Sequence, residues 1–241
     1  MSEPTIVAIL LAAACIHGLL GFGFPMLSTP VLLLWLELPL VVMVTLFPTV
    51  TINIISISAE KQWREAFRRY WPIPVFTIAG SLLGTQVLLH TDPQPLRLLL
   101  AVLLIVYLVA ERLPQAQTER RVPPFAMGLF GFGLGLMGGM INIIAPAIVM
   151  YALFTRMDAT LMVATFNFSF LISKSGQIIG FLANSAFDWQ VVKFTLLLLP
   201  FIVLMLWLGM RLRKRMNTDN YKKLLRLSLW VIALVLLVDS V

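Results

Sequence analysis

Long apolar stretches, separated by short polar loops, fill almost the whole chain of 241 residues. A helix of about 20 residues crosses the ~30 Å hydrocarbon core of a bilayer. Most stretches have roughly that length, but the first and the fifth exceed 30 residues. The pattern therefore predicts an all-α polytopic membrane protein. The eight stretches cover 5–36, 40–58, 71–90, 96–110, 124–154, 157–173, 190–210 and 224–238.

The two longest stretches contain the same glycine-rich phrase. Residues 18–24 (GLLGFGF) recur 110 positions later as 128–134 (GLFGFGL), with five of the seven residues identical. Pro25 and Pro30 follow the first copy. Because glycine and proline interrupt helices, each long stretch is either one steeply tilted helix or a hairpin that turns back on itself.

The basic residues decide between these two arrangements. They cluster in the loops at 59–70, 111–121 and 211–226, and short loops rich in lysine and arginine stay in the cytoplasm. Counting crossings between these loops, 124–154 must begin and end at the cytoplasm, and 5–36 must begin and end outside. Both stretches are therefore predicted to be hairpins. In this topology 15 of the 18 lysines and arginines face the cytoplasm, and both termini lie outside.

Each broken or re-entrant hairpin is followed by three single crossings. Because three is odd, the second half enters the membrane from the opposite side, and the halves are predicted to be inverted repeats. The first repeat comprises residues 1–118 with the first four stretches, and the second comprises residues 119–241 with the last four. Inverted repeats with a broken helix in each half are typical of secondary transporters.

Further matches between the halves favour a duplication. Asn53 and Asn167 lie 114 positions apart, and Trp71 and Trp189 lie 118 positions apart. In this alignment the amphipathic segment 59–70 corresponds to 175–188, so both are expected to lie in the membrane interface.

Composition excludes a soluble protein, and the sequence motifs give little support for an enzyme, so an integral-membrane enzyme is a distant third alternative. Hydrophobic residues make up 60% of the chain and charged residues 12%, about half of the charged share of soluble domains. Cys15 is the only cysteine, and the HExxH, GxSxG and CxxC motifs are absent from the sequence. The net charge of +7 comes from short loops, which argues against nucleic-acid binding. No cofactor, metal site or catalytic residue is predicted.

The hairpin tips are the first candidate binding site. A chain that reverses inside a bilayer leaves backbone polar groups for a ligand or for neighbouring helices to satisfy. The return helices are expected to begin near 25–29 and 139–143, and a helix N-terminus attracts anions. The alternative is that the glycines only allow helices to pack closely. The candidate glycines are Gly21, Gly23, Gly138 and Gly139.

Polar residues inside the apolar helices are further candidates. Asn53 and Asn167 occupy matching places in the repeats, where they either contact a ligand or join helices by hydrogen bonds. Hydroxyl and amide side chains nearby either add donors or bond to their own helix backbone. These additional candidates are Ser28, Thr29, Thr51, Asn142 and Thr165.

Two titratable residues stand out. Lys174 follows an apolar helix, so it either attracts the anion at an entrance or extends its ammonium group to the outer surface. His17 precedes the first glycine phrase, where it either couples protons or bonds within the helix bundle.

The repeated phrase resembles the TauE/SafE family of sulfite and organosulfonate exporters. The resemblance rests on residues 21–30 (GFGFPMLSTP) and on the glycine-rich segment from 131 to 139 that leads to Pro146. It extends over essentially the whole chain. It implies membrane transport of small anions, often sulfur oxyanions or sulfonates, with other organic acids in some members.

Together these observations predict a secondary transporter of a small anion, a sulfur oxyanion or organosulfonate, in a bacterial-type inner membrane. Alternating access would expose the hairpin tips to each side in turn. A passive anion channel and a carrier of small carboxylates are the alternatives. Expected partners are the anion and membrane lipid, with protons as a candidate coupling ion and a homodimer as a candidate assembly.

Overall fold

The computed structural model describes residues 3–59, 62–110 and 121–213, and these residues form ten helices and no strand. The helices are α1 (Glu3–Leu20), α2 (Phe24–Leu33), α3 (Leu38–Ala59), α4 (Trp63–Tyr70), α5 (Pro72–His90), α6 (Pro93–Ala110), α7 (Pro124–Ile141), α8 (Ala145–Thr155), α9 (Ala159–Ala183) and α10 (Trp189–Arg213).

Five helices, α1, α3, α5, α7 and α10, are long and apolar enough to cross a membrane. The 25-residue α9 matches α10 in length but is not among the five, because buried polar side chains lower its apolarity. These side chains are Thr165, Asn167, Ser169, Ser173, Lys174 and Gln177. The prediction of an all-α polytopic membrane protein is confirmed.

Both long stretches are broken helices that turn back. A three-residue break separates α1 from α2, and another separates α7 from α8. Helix α2 packs on α1, and the ring of Phe130 in α7 stacks on Tyr151 in α8, with centroids 4.7 Å apart. At 1.5 Å per residue, α2 and α8 extend about 15 and 16 Å, half of the hydrocarbon core. Neither return helix can therefore cross the membrane alone.

The two copies of the glycine phrase do not occupy equivalent places. Residues 18–24 span the end of α1 and the break, whereas 128–134 lie inside α7. The second break comes at Asn142, which has a positive φ of 63° like the 84° of Gly21. These two residues are 121 positions apart, as are Pro25 and Pro146 near the starts of the return helices. The 110-residue match of the glycine phrases therefore does not align the two tips, and the breaks themselves lie 121 residues apart.

The glycines inside α7 allow it to pack closely on α5. A Cβ added to Gly135 would overlap the carbonyl oxygen of Thr77 and lie 2.7 Å from the Thr77 Cα. Glycines also allow α1 and α10 to pack closely, because a Cβ on Gly18 would lie 3.0 Å from the Cα of Gly209. Small residues let helix backbones approach in membranes, so these glycines serve packing.

Gly135→Ala is expected to lower the free energy of unfolding by about 2 kcal/mol, because α5 and α7 must separate to admit the methyl group. Gly133→Ala is the matched control: its Cβ would meet no atom within 4 Å. That variant is expected to be neutral or stabilised by up to about 1 kcal/mol through helix propensity. Unfolding titrations in detergent measure both changes, and equal effects of the two variants would contradict this packing argument.

The two predicted interfacial segments differ in structure: 59–70 contains a separate amphipathic helix, whose interfacial position stays a prediction, whereas 175–188 forms no separate helix. Helix α4 exposes its arginines and buries only Ala66 and Tyr70, as an interfacial helix does. The segment 175–188, by contrast, continues α9 to Ala183. The reason is packing, since a Cβ on Gly176 or Gly180 would press on α5.

Helices of the two halves of the chain pack against each other in a similar pattern. Helix α1 packs on α10, and α7 packs on α5, so the first helix of each half lies against the other half. The helix lengths also recur in order, with 18, 10 and 22 residues in α1–α3 and 18, 11 and 25 in α7–α9. The division into inverted repeats at 118 and 119 stays a prediction, and the predicted helix 224–238 lies outside the described residues.

Candidate functional site

The first hairpin tip is held by His17, which is buried in the last turn of α1. The backbone N–H of Phe24 donates to His17 Nδ1 at 3.2 Å, and His17 Nε2 lies 3.1 Å from the hydroxyl oxygen of Ser56 in α3. Because Nδ1 accepts a hydrogen bond, the neutral imidazole carries its proton on Nε2 and donates it to Ser56. His17 thus caps α2 and ties the tip to α3, while its role in proton coupling stays a prediction.

Helices α9 and α10 close over the same tip. Asn167 Nδ2 donates to the carbonyl oxygen of Gly21 at 3.0 Å and to that of Val163 at 2.9 Å. A Cβ on Gly21 would lie 2.9 Å from Arg213 Nη1, which brings a guanidinium group to this tip. A Cβ on Gly23, which has a φ of 101°, would meet no atom within 4 Å. The space beside Gly23 is therefore open.

The second tip is organised by Asn142. Its Nδ2 donates to Thr29 Oγ1 in α2 at 2.8 Å and to Thr45 Oγ1 in α3 at 2.9 Å. Its Oδ1 accepts a hydrogen bond from the ammonium group of Lys174 in α9. All four side chains are fully buried. Asn142 therefore joins the second hairpin to two helices of the first half and to α9.

Lys174 lies inside the bundle at this tip, so the expectation that it extends to the outer surface was wrong. Its side chain is 0% exposed because α9 continues nine residues beyond it. The ammonium group donates to Asn142 Oδ1 and to Gln177 Oε1, and it lies 5.7 Å from the ring centroid of Phe170.

Gln177 completes the second tip. Its Nε2 donates to the carbonyl oxygens of Gly138 and Gly139 at 3.0 and 3.2 Å. The carbonyl of Gly138 also accepts from the backbone N–H of Asn142, so a side chain of α9 adds to the hydrogen bonding of the backbone at the break, as burial in protein requires.

One face of α9 connects the two tips. Asn167 and Lys174 are seven residues apart, which is two helical turns or about 10 Å along the axis. Phenylalanine rings fill the space between them: Phe166 lies 5.2 Å from Phe22 and 5.0 Å from Phe170, measured between centroids. The tips form two neighbouring polar sites that an aromatic cluster separates.

Asn53 lies between the two sites and keeps an unused donor. It is buried on α3, and its Nδ2 has no hydrogen-bond partner. Ser56, at the first tip, is one turn away, and Thr45, at the second tip, is about 12 Å away along the helix. A buried donor without a partner costs about 1–3 kcal/mol, a cost that a bound ligand can remove.

Three predicted residues make no side-chain hydrogen bond to the other polar side chains of these sites within the described part of the chain, and the hydroxyl of Thr165 is buried without a partner. Ser28 donates to the carbonyl oxygen of Phe24 in its own helix at 2.8 Å. Thr51 precedes Asn53 by two positions, and Thr165 precedes Asn167 by two. Residues two apart point to nearly opposite sides of a helix, so neither threonine shares the face of its asparagine.

Four functional candidates were missed from the sequence. Ser56 and Gln177 lie three residues after Asn53 and Lys174, on the same helix faces, so helical spacing is a signal that would have found them. Thr45 and Arg213 are brought to the tips by tertiary packing alone. The missed residues are Thr45, Ser56, Gln177 and Arg213.

A cavity of about 230 Å³ opens between α1, α3 and the start of α10. Its wall includes Val44, which directly precedes Thr45 of the second tip. In the predicted topology it faces the outer side. The lining residues are Glu3, Ile6, Leu36, Leu40, Val44, Asp188, Gln190, Val191 and Phe194.

Comparison with known proteins identifies a family. The family model described as Sulfite exporter TauE/SafE matches residues 6–236, a span that contains both hairpin tips and every polar residue described at them. No curated protein and no solved structure matches the chain.

Proposed function

Since the chain belongs to the TauE/SafE sulfite exporter family of membrane transporters, we propose that it is a secondary transporter of a small anion. The substrate we propose is a sulfur oxyanion or an organosulfonate, which the protein moves across the inner membrane by alternating access. The protein is a multi-pass membrane protein. We place both termini outside.

The observation that carries the proposal is the presence of two hairpin tips with buried polar side chains inside an apolar bundle. Irregular backbone at membrane depth is tolerated where it is buried in protein or lines a substrate path, and transporters place substrates at such breaks. The unpartnered amide N–H group of Asn53 lies between the tips. A free N–H donor at such a break can bind an oxygen of the anion.

The contacts between halves support alternating access as the mechanism. Helix α1 packs on α10 and α7 on α5, so each hairpin lies against helices of the opposite half. If the halves are inverted repeats, the two hairpins can exchange roles when the site changes sides. The cavity beside α1, α3 and α10 gives the proposed outer route to the second tip.

Uptake into proteoliposomes tests the function. Radiolabelled sulfite, taurine-like sulfonates and small carboxylates are supplied with and without an imposed pH gradient. Saturable flux of a sulfur anion is expected, and a response to the gradient would identify protons as the coupling ion. Unsaturable flux of all anions would replace the carrier with a passive channel, and flux of carboxylates alone would change the substrate class.

Asn53→Ala is expected to lower the transport rate at limiting substrate by about tenfold, the loss of one hydrogen bond to a charged group. The free energy of unfolding should change little, because the Nδ2 has no partner in the fold. Asn184→Ala is the matched control, since this amide bonds Gln86 at the far end of α9. Full transport by Asn53→Ala in a folded protein would remove Asn53 from the site.

A further inference from the structure

In its ammonium form, Lys174 is a buried cation at the second tip. The side chain is fully buried, and the acceptors of its ammonium protons are the neutral amide oxygens of Asn142 and Gln177. Among the described residues no carboxylate contacts it. A buried charge is costly unless a charge of opposite sign and hydrogen bonds compensate it, so an anion bound here would stabilise the ammonium form.

The donors around the ammonium group suit an oxyanion. Ser173, the preceding residue, is fully buried and its Oγ has no hydrogen-bond partner. That oxygen lies at the tip itself, 2.7 Å from the position of a Cβ on Gly138. An ammonium group and a hydroxyl donor at the same tip can bind two oxygens of one small anion at once.

We propose that Lys174 supplies the positive charge against which the substrate binds. One oxygen of a monoanionic sulfonate-type headgroup takes the place of Asn142 Oδ1 and Gln177 Oε1 on the ammonium group, and Ser173 donates to a second oxygen. This inference rests on the proposed function. It specifies the charge of the substrate and the group that binds that charge. Lysine serves here as a point charge, since its ammonium group is compact and has three donors.

The same exchange connects binding to the hairpin. Asn142 holds Thr29 and Thr45 with its Nδ2 while its Oδ1 holds Lys174. When the anion takes the ammonium group, Asn142 keeps its links to the first half but loses its link to α9. Substrate binding thus changes how the second tip is held, and a ligand that favours one arrangement shifts the population toward it.

Anion binding to the purified protein tests the assignment. The probes are methanesulfonate, a monoanionic sulfonate, and sulfite, with acetate for comparison, and the readout is the concentration that gives half-maximal thermal stabilisation in detergent. Lys174→Gln is expected to weaken sulfonate binding at least about tenfold, and Lys174→Arg, which keeps the charge, to restore most of it. Lys193→Gln, at an exposed lysine of α10, is the matched control and should bind as the wild type does.

Asn142→Asp provides a second test that does not depend on removing the lysine. The aspartate places a carboxylate on the Lys174 ammonium group, and the hydroxyls of Thr29 and Thr45 can donate to it. A built-in counter-charge should compete with the substrate, so the variant is expected to fold but to bind methanesulfonate at least about tenfold more weakly. Gln94→Glu, at an exposed position, controls for the added negative charge.

The outcomes separate this inference from the function on which it rests. If the wild type neither binds nor transports any of the anions, the proposed function fails and the role of Lys174 fails with it. If the wild type binds them and both Lys174→Gln and Asn142→Asp bind equally well, only the assignment of Lys174 is overturned. Unchanged binding by both variants is the result expected if Lys174 only holds the second tip together and does not contact the anion.

Discussion

Asn142→Ala is expected to abolish transport and to lower the free energy of unfolding by about 3–5 kcal/mol, as the loss of one partner of a buried charged network does. The variant removes the acceptor of a buried ammonium group and the donor to two buried hydroxyls, those of Thr29 and Thr45. It also places alanine at a φ of 63°, where a side chain without a local hydrogen bond costs roughly 1–2 kcal/mol.

Asn142→Gly separates the two contributions. Glycine adopts the positive φ freely but loses the same side-chain hydrogen bonds. Its stability should therefore exceed that of Asn142→Ala by about 1 kcal/mol, and both variants should fail to transport. Denaturant titration in mixed micelles and proteoliposome uptake give the two readouts. Wild-type stability for Asn142→Ala would mean that this residue does not hold the halves together.

The hairpins could be predicted because membrane topology follows from local properties of the sequence. Apolarity fixes which segments enter the bilayer, and loop charge fixes which side their ends occupy. From these two quantities alone 124–154 had to begin and end on the same side, and the structure contains the break at Asn142. The same reasoning fails for 175–183, because Gln177, a polar residue that suggests an interface, is fully buried and bonds the backbone of the second tip.

The positions of the tips could not be read from glycine alone. Glycine breaks the helix at Gly21, where φ is 84°, but inside α7 it permits close packing, as at Gly135. The sequence does not distinguish these two uses. A nearby proline indicates which glycine-rich segment contains the break, because proline favours the first turn of a helix. Pro25 and Pro146 both lie in the first turn of a return helix.

The candidate site was predicted in part for a related reason. Asn53, Asn167 and Asn142 were found because polar side chains in apolar helices are conspicuous in sequence. The surroundings of Lys174 depend on Asn142, 32 positions earlier, and sequence alone does not bring such residues together. Gln177 is different, since residues three apart on a helix are neighbours and its contact with Lys174 was predictable.

His17→Phe is expected to lower the free energy of unfolding by about 2–4 kcal/mol. Phenylalanine retains an aromatic ring at the buried position but leaves the N–H of Phe24 and the hydroxyl of Ser56 without partners, and each such group costs about 1–3 kcal/mol. His90→Phe, at an exposed histidine at the end of α5, is the control and should change stability little. Denaturant titration compares the variants.

His17→Gln distinguishes a cap from a proton carrier. The glutamine amide can accept from the N–H of Phe24 through its oxygen and donate to Ser56 through its nitrogen, but it cannot titrate. If His17 acts as a cap, this variant recovers most of the stability that His17→Phe loses, and its flux responds to a pH gradient as the wild-type flux does. If the gradient response disappears while stability is retained, His17 carries the coupled proton. Because the neutral histidine already uses both ring nitrogens in hydrogen bonds, protonation would break the bond to Phe24 and release the first tip, so we expect the cap.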